Sequence, residues 1–195
     1  MLWEVLVMKR KTAKEILAES FRELSENTPV DRITVREIAE NSGYSIATFY
    51  RHFRDKYDLI AWDYSRDLEK IVDPFGKDRS RWKEILSGTA EYYSRHKSYL
   101  ANLLLHTSGY DSFLRYMTEI HIESLTSCLK QPAAPQPAAV QTADKTAEMY
   151  VRIYCMGTVG FTCEWILGKH DLTTTELAEI YQKALPEALR RELSI

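Results

Sequence analysis

The residues best suited to chemistry lie together in one short stretch of the 195-residue chain, "SIATFYRHFRDK" at residues 45–56. Its hydroxyl and small side chains can approach base edges and thymine methyl groups, and its Tyr, His and Lys side chains can donate hydrogen bonds to phosphate oxygens. From Tyr44 to Tyr57 there are two Arg and one Lys against one Asp. The stretch therefore indicates local, non-covalent contact with nucleic acid.

The composition of the whole chain limits where such a contact can occur. The net charge is −2, which indicates neither a uniformly basic coat for nucleic acid nor a membrane-binding surface. Hydrophobic residues make up 45% of the chain, enough for a sizeable core in one domain or two small ones. Any contact with nucleic acid must therefore be concentrated on a small part of the surface.

Two short predicted helices position the stretch. A Thr-x-x-Glu capping box at 34–37 predicts a helix over 35–41. Gly43 can adopt positive φ in the turn that follows, and Ser45 is a good N-cap for a helix that runs to about Phe53. Two helices joined by such a turn and packed on a preceding helix form a helix-turn-helix, in which the second helix lies in the DNA major groove.

The second of these helices has two faces. Ile46, Phe49 and Phe53 recur at helical spacing, so we expect all three to pack inward. The small and polar residues are left on the other face: Ser45, Ala47, Thr48, Arg51 and His52. The same geometry also occurs in proteins that bind no DNA, so a plain three-helix packing unit with a solvated polar face is the alternative.

Residues 9–62 resemble the DNA-binding domain of the tetracycline-repressor (TetR) family. The likeness is carried by "TVREIAENSGYSIATFYRHFRDKYDL" at 34–59, with its Ile-Ala pair, Gly-x-Ser turn, aromatic-Tyr-x-His-Phe run and later Lys. The resemblance implies two residues on the DNA backbone, three facing bases and three on phosphates: Thr34, Tyr44, Ser45, Ala47, Thr48, Tyr50, His52 and Lys56. The helix dipole would assist Lys56. Ile46 stands where many members have a polar or basic residue, which implies sparser base readout.

The rest of the chain is also helical in period and nothing reads as a strand, which predicts an all-α fold of about nine helices. The resemblance makes residues 63–195 an effector-binding and dimerisation domain, and the Pro-rich composition of 131–143 predicts a flexible linker within it. Pro186 predicts a kink or helix end near Leu185. Residues 1–8 are expected to be a leader, or an extension ahead of the natural start, and receive no function.

The last two predicted helices are the expected pairing surface of a homodimer. The residues assigned to it are Gly157, Gly160, Leu177, Tyr181 and Leu185. The two glycines lie mid-helix, where each costs about 1 kcal/mol relative to Ala, and close approach of another helix would offset that cost. Pairing would place two reading helices about 34–36 Å apart on a two-fold DNA site. The alternative is that both helices only close the core of the monomer.

Between the two ends lies an aromatic-rich region in which the resemblance implies a pocket for a small-molecule effector of unknown identity. The residues assigned to the pocket are Trp82, Tyr93, His96, His106, Tyr116 and Trp165. Apolar walls with a few polar groups suit such a site. Aromatic residues at helical spacing are more often ordinary core, and that alternative stays open for each of the six.

The C-terminal stretch "MYVRIYCMGTVGFTCEWILGKHDLTTTELAEI" at 149–180 is similar to the end of the ligand domain in a TetR subgroup common in Firmicutes. That subgroup has a Gly-x-x-Gly in a long helix, then a Trp, a polar turn and a last amphipathic helix. It includes co-activators of dihydroxyacetone kinase operons. The resemblances imply a repressor that binds a palindromic DNA operator, with a co-activator or adaptor acting through a partner protein as the alternative.

The chain lacks the sequence motifs that are typical of several classes of enzyme. It contains no P-loop, G-x-S-x-G, HExxH or G-x-G-x-x-G motif, and its five His residues are scattered, so we expect no catalysis, cofactor or bound metal. Three cysteines without a secretory signal predict reduced thiols in a cytoplasmic protein. The apolar residues 1–8 are too few to span a bilayer.

Overall fold

The described part of the chain has an all-α fold. The structure is a computed structural model, and it describes residues 11–72, 81–109, 112–130 and 145–193. Ten helices and no strand occur within those ranges, which confirms the predicted fold class. The leader predicted at 1–8 and the linker predicted at 131–143 lie outside the described residues.

The helices divide into two compact units, and the division falls between Asp63 and Tyr64. The first unit contains α1 to α3 and the beginning of α4, and the second contains the rest. In chain order the helices are α1 (Ala13–Ser25), α2 (Val35–Ser42), α3 (Ile46–His52), α4 (Lys56–Val72), α5 (Trp82–Arg95), α6 (Lys97–Leu105), α7 (Phe113–Lys130), α8 (Lys145–Ile166), α9 (Thr174–Ala184) and α10 (Glu187–Leu193).

Caps fix the ends of the helices in the first unit. Thr12 caps α1 and Thr34 caps α2, each in a complete capping box with the Glu three residues later. Gly43 has a φ of 74° and ends α2, and the amide N–H of Tyr44 donates to the carbonyl oxygen of Ala39 at 3.0 Å. This is the left-handed turn that the sequence predicted, and it starts the chain into α3.

The first unit packs around side chains from all four of its helices and from the connection between α1 and α2. The largest of them are Leu17, Phe21, Val30, Ile33, Ile38, Phe49, Phe53, Leu59 and Ile60. A polar link joins α1 to α2, because Ser20 Oγ donates to the Ile38 carbonyl oxygen at 2.9 Å and Asn41 Nδ2 donates to Ser20 Oγ at 3.1 Å. Phe49 and Phe53 are the side chains by which α3 enters this core, so the core holds α3 from one side.

The second unit is built on α8. This helix packs against α6, α7 and α10, and α5 packs against α9. One hydrophobic cluster joins α7, α8 and α10: Ile122, Leu125, Val151, Tyr154, Cys155, Leu185, Leu189 and Leu193. Burial of a Leu side chain contributes about 1.5–3 kcal/mol, so Leu189 and Leu193 hold the short α10 to the unit.

Pro186 separates α9 from α10 and accounts for a tenth helix where the sequence predicted about nine. Because Pro has no N–H and its ring clashes with the preceding turn, α9 ends at Ala184. Arg190 caps the break, since its Nη2 donates to the carbonyl oxygens of Gln182 and Lys183 at 2.8 and 3.1 Å. The helix end predicted near Leu185 is confirmed.

Candidate nucleic-acid interface and internal cavity

Helix α3 has a buried side and an exposed side. Phe49 is fully buried and Phe53 is 2% exposed, so these two side chains attach the helix to the core. Thr48 and His52 are half-buried at the edge. The exposed side comprises Ser45, Ile46, Ala47, Tyr50 and Arg51. It therefore presents hydroxyl, methyl, phenol and guanidinium groups within two helical turns, as contact with bases and phosphates requires.

The inward packing predicted for Ile46 is wrong. Ile46 is 43% exposed, because it lies one turn before Tyr50 on the exposed side of α3, while Phe49 and Phe53 alone carry the packing. An exposed branched aliphatic side chain in the first turn of such a helix can contact thymine methyl groups. We therefore add Ile46 to the candidate interface, as an apolar side chain that can contact bases.

Two hydroxyls of the predicted interface also cap helices. Ser45 Oγ accepts a hydrogen bond from the Thr48 N–H at 3.1 Å and lies 3.0 Å from Thr48 Oγ1. Thr34 Oγ1 accepts from the Glu37 N–H at 3.2 Å and donates to the Glu37 carboxylate at 2.7 Å. The hydrogen bonds from the hydroxyl and the amide of Thr34 hold the pKa of Glu37 below its usual value. The caps fix where these hydroxyls lie.

Lys56 has a structural role that the sequence did not indicate. Its Nζ donates to the carbonyl oxygens of Val30, Asp31 and Ile33 at 2.8, 2.7 and 2.7 Å. An ammonium group has three donors, so all of them are used in holding the connection between α1 and α2. A phosphate contact through Nζ would require the loss of one of these bonds.

The N-terminus of α4 is also occupied by a side chain of the protein. The Asp55 carboxylate accepts from the N–H groups of Tyr57 and Asp58 at 2.9 and 2.8 Å. The partial positive charge at this end of α4, which was expected to assist Lys56 in binding a phosphate, therefore acts on the Asp55 carboxylate. The sequence did not single out Asp55.

Arg51 is an exposed cation that the predicted interface omitted. Other arginines of the first unit are paired, Arg36 with Glu40 at 2.7 Å and Arg54 with Asp55 at 2.9 Å. Arg51 forms no ion pair within the part of the chain that the structure describes. The sequence held a signal for it, since Arg51 lies four residues after Ala47 and so shares the exposed side. Its guanidinium is available for a phosphate group.

Helix α8 presents an apolar stripe to solvent. Met149, Ile153 and Met156 are 49%, 67% and 58% exposed. Gly157 and Gly160 continue the stripe, and a Cβ atom added to either would meet no atom of the described residues within 4 Å. Packing against the described residues therefore does not explain these glycines, although each costs about 1 kcal/mol relative to Ala in a helix.

The other three residues assigned to the dimer interface lie inside the second unit. Leu177, Tyr181 and Leu185 are 0%, 7% and 3% exposed. The Tyr181 hydroxyl donates to the Thr158 carbonyl oxygen at 3.1 Å, so this side chain joins α9 to α8 of the same chain. These side chains close the core of the monomer, and Ile180, at 41% exposure, is the large apolar residue that α9 presents outward.

A cavity of about 80 Å³ lies inside the second unit. Trp82 and Tyr93, from the residues assigned to an effector pocket, line it. His121, Tyr154 and Tyr181 line it as well, although they were not among the six residues assigned to the pocket. The wall contains no Asp, Glu, Lys or Arg among the described residues.

Four of the assigned pocket residues lie away from the wall of this cavity: His96, His106, Tyr116 and Trp165. Trp165 is 4% exposed, and its Nε1 donates to the carbonyl oxygen of Leu172 at 2.8 Å. The His96 ring packs against the Tyr92 ring with 4.7 Å between centroids. Aromatic residues at helical spacing therefore did not distinguish the cavity wall from ordinary packing.

Tyr64, Tyr93 and His121 form a polar triad beside the cavity. The two hydroxyls lie 3.0 Å apart, and His121 Nε2 lies 2.9 Å from that of Tyr64 and 2.8 Å from that of Tyr93. Burial lowers the pKa of His121 to about 4 and raises the pKa of both tyrosines well above the usual value, so all three are neutral at pH 7. The sequence signal for His121 was its spacing of four residues from Met117 and eight from Phe113, both on the buried face of α7.

The described residues carry neither a metal-binding cluster nor a membrane-spanning helix. No group of three or more His, Cys, Asp or Glu residues in that part of the chain could hold a metal ion. Among the same residues, no helix combines the length and the apolar character needed to cross a membrane. Burial raises the pKa of the Cys155 thiol to about 12 and that of Cys163 to about 11, so both are protonated at pH 7.

Two family models match the chain. The one described as "Bacterial regulatory proteins, tetR family" matches residues 16–61, and the one described as "Transcriptional regulator C-terminal region" matches residues 80–187. HTH-type transcriptional regulators of Staphylococcus aureus, from strains USA300 and NCTC 8325 among others, are 30% identical over 94 residues, which are 45% of this chain and 51% of theirs. The chain thus spans about half the length of the curated relatives it matches.

Solved structures of similar fold cover nearly the whole chain. The dihydroxyacetone kinase operon activator DhaS superposes with a TM-score of 0.60 at 15% identity, over 93% of this chain and 96% of that one. A TetR transcriptional regulator from Rhodococcus sp. RHA1 gives 0.62 at 16% identity, over 94% and 100%. The fatty acid degradation regulator FadR from Bacillus halodurans gives 0.56 at 17%, over 93% and 99%. At these identities the likeness shows the fold.

Proposed function

Because the chain belongs to the TetR family of bacterial regulatory proteins and is a transcriptional regulator with a DNA-binding domain, we propose that it binds a two-fold symmetric DNA operator as a homodimer. The exposed side of α3 is the observation that carries the proposal. Tyr50 and Arg51 lie there next to a first turn of small and apolar side chains, while Phe49 and Phe53 fix the opposite side in the core.

In this proposal α3 lies in the major groove with its first turn toward the bases. Ser45 and Ala47 are short enough for close approach, and Ile46 contacts thymine methyl groups. Tyr50 and Arg51, one turn further along, contact phosphates.

Several residues of the predicted set have supporting places in the proposal. Thr34, Tyr44 and His52 keep their assigned contacts with the DNA backbone, and half-buried Thr48 keeps its place facing the bases, beside the Ser45 hydroxyl. Lys56 holds the connection between α1 and α2 in place and so acts on DNA binding indirectly.

The stripe on α8 supports pairing with a second copy of the chain. Met149, Ile153 and Met156 would bury exposed apolar area, and the two glycines that follow would let a helix of the other copy approach closely. Ile180 supplies apolar area on α9. In a symmetric pair the same patch serves both copies, so each helix would face its own counterpart.

The cavity in the second unit supports control by a small molecule. A molecule that binds more tightly to one arrangement of the dimer shifts the population toward that arrangement by its differential affinity. We infer that the protein is a cytoplasmic repressor, because a dimer bound to an operator excludes other proteins from the same DNA. A ligand that weakens operator binding then releases the dimer from that DNA.

A binding titration tests the proposal. Purified full-length protein is titrated into fluorescent duplexes tiled across the intergenic DNA upstream of its own gene, and fluorescence anisotropy reports binding. We expect one duplex to bind in preference, with a large loss of affinity for Tyr50→Ala, at a side chain that is 57% exposed, and none for Leu105→Ala, at a side chain of α6 that is 64% exposed. Binding that requires a second protein would support the adaptor and contradict a self-sufficient regulator.

A further inference from the structure

The wall of the cavity is polar in places and carries no formal charge. Its polar residues include His121, Tyr93, Tyr154 and Tyr181, together with three threonines, and no Asp, Glu, Lys or Arg side chain lines it in the described part of the chain. Burial lowers the pKa of His121 to about 4 and raises the pKa of the tyrosines above the usual value, so these groups stay neutral near pH 7. A charged guest would lose its hydration without gaining a counter-ion.

Most hydrogen-bond donors of the wall are already used within the protein. The Thr89 hydroxyl donates to the carbonyl oxygen of Ile85 at 2.8 Å, and the Thr158 hydroxyl donates to that of Tyr154 at 2.8 Å. The Tyr154 hydroxyl donates to the Tyr181 carbonyl oxygen at 2.9 Å. These three hydroxyls donate to backbone carbonyl oxygens of the protein, so they offer little to a guest.

Trp82 is different from these residues. Its indole Nε1 is buried, and no acceptor in the described part of the chain receives its hydrogen. A buried N–H without an acceptor has lost its hydrogen bond to water and gained none in return, and a guest that supplies an acceptor removes this cost. Trp82 lines the cavity, so an acceptor of the guest is the partner that the geometry leaves for it.

The triad supplies a second donor in one of the two neutral tautomers of His121, the one with the proton on Nε2. With the proton on Nδ1, Nε2 accepts from one hydroxyl and that hydroxyl accepts from the other, so no donor is left over. A neutral imidazole nitrogen either carries a proton or accepts one, so His121 Nε2 cannot do both. When Nε2 carries the proton, it donates to one tyrosine hydroxyl and the two hydroxyls share one further bond. One hydroxyl proton then has no acceptor inside the triad. Tyr93 lines the cavity whereas Tyr64 does not, so the proton of the Tyr93 hydroxyl is the one that can point to a guest.

From these observations we propose that the cavity binds a small, uncharged, mainly apolar molecule that carries a carbonyl or similar oxygen acceptor, which receives a hydrogen bond from Trp82 Nε1. This inference rests on the proposed function in one respect, namely that a guest of this cavity is the effector. The volume of about 80 Å³ has room for a few groups the size of water, so the guest is small or the wall opens to admit it.

The test compares probes of similar size that differ in charge and acceptor. Butan-2-one and cyclohexanone are neutral and carry a carbonyl oxygen, cyclohexane has no acceptor, and cyclohexylammonium and cyclohexanecarboxylate are charged. Each is titrated into the full-length protein, and ¹H–¹⁵N spectra follow the indole N–H signals. Thermal unfolding gives an independent measure of binding. The Trp82 signal is assigned from a Trp82→Phe variant, with Trp62→Phe as the matched control.

We expect at least one ketone to move the Trp82 indole signal downfield, to raise the unfolding temperature and to bind at least about tenfold more tightly than either charged probe. The Trp82→Phe variant should lose most of the preference for ketone over cyclohexane. Charged probes that bind as well as the ketones would overturn the inference, and so would ketones that leave the Trp82 signal unmoved.

These results are separable from those of the proposed function. Probe binding is measured without DNA, and operator binding is measured without probe. Ketone binding by a protein that binds no operator would contradict the proposal of operator binding and leave the cavity inference standing. Operator binding with no response at Trp82 would contradict the cavity inference alone.

Discussion

Arg22 Nε in α1 lies 2.6 Å from Asp63 Oδ2 in α4, and the Asp63 side chain is fully buried while that of Arg22 is 22% exposed. The pair joins two helices of the first unit, and its two residues are 41 positions apart in sequence. A buried charge without its partner is costly, so each member is needed once the other is present. The pair therefore helps to hold α4 against α1.

Replacement of Asp63 by Asn should destabilise the first unit. The Asn side chain keeps the shape of Asp but removes the carboxylate charge that lies beside the Arg22 guanidinium. We expect a loss of about 2–3 kcal/mol, below the 3–5 kcal/mol typical of a fully buried pair, because Arg22 keeps some contact with water. Urea unfolding measures the change. Glu19→Gln, which breaks the exposed pair with Lys11, is the matched control and should cost less than about 1 kcal/mol.

Thymine methyl groups should contribute to operator binding through Ile46. Replacement of single thymines by uracil removes only a methyl group, and we expect one or two positions per half-site to lose about 0.8 kcal/mol, the value of one buried methyl. The Ile46→Ala variant should bind the thymine and uracil operators alike at those positions. Equal sensitivity of wild type and variant to the replacement would show that Ile46 reads no methyl group.

Arg51 should contribute to the dependence of DNA affinity on salt. Each neutralised phosphate releases counter-ions, so the slope of log K against log salt concentration becomes shallower by about 0.9 for each phosphate that is no longer neutralised. Arg51→Ala frees one phosphate for each copy of a dimer, and anisotropy titrations at several salt concentrations measure the slope. Arg95→Ala, an exposed arginine of α5 in the second unit, should leave the slope unchanged. An unaltered slope for Arg51→Ala would remove this residue from the interface.

Introduction of a charge into the α8 stripe should dissociate the dimer. Ile153 is 67% exposed, and Ile153→Glu would bury two carboxylates against each other in a symmetric pair. We expect sedimentation velocity to show a dimer for the wild type and a monomer for the variant. Leu105→Glu is the control, because Leu105 is 64% exposed on α6, away from the stripe. A wild type that sediments as a monomer at all concentrations would contradict the assigned role of the stripe.

Acid should destabilise the second unit through His121. Its pKa is about 4 in the folded protein and 6.5 in a model peptide, so below pH 6.5 the unfolded chain takes up a proton that the folded chain does not. This contribution to stability is therefore complete above pH 6.5 and declines as the pH falls toward 4. We expect a loss of about 2 kcal/mol between pH 7 and 5. Unfolding curves across this range should show a smaller loss for His121→Gln, and equal losses would contradict this role for His121.

The sequence predicted the helices well because their ends are local. The capping box of Thr34 and Glu37, Gly43 and Pro186 act through neighbours in the chain, and each marks a helix end in the structure. The class of fold followed from the same signals. The exact number of helices depended on whether Pro186 would kink the last helix or end it, and the carbonyl caps from Arg190 belong to the ended form.

The parts of the site that the sequence missed depend on contacts between distant residues. Spacing alone placed Ile46 with Phe49 and Phe53, although the core of the first unit reaches only the two aromatic rings. The assignment of Lys56 to a phosphate overlooked three carbonyl oxygens that lie 23 to 26 residues earlier in the chain.

The polar triad beside the cavity shows the same limit. Tyr64, Tyr93 and His121 come from three helices, and no periodicity within one helix reveals that they meet. The spacing within α7 predicts that His121 lies on the buried face of that helix, and such a position is equally typical of ordinary core.

Selection of binding sites from random duplex DNA tests the central claim most directly. Purified protein is mixed with a random library, bound duplexes are recovered over several rounds, and the enriched sequences are read. We expect a palindrome whose half-site centres lie one helical turn or a small multiple of it apart, as two copies of α3 on one face of the duplex require. A library that shows no enrichment, or an asymmetric site bound by a single chain, would contradict the account.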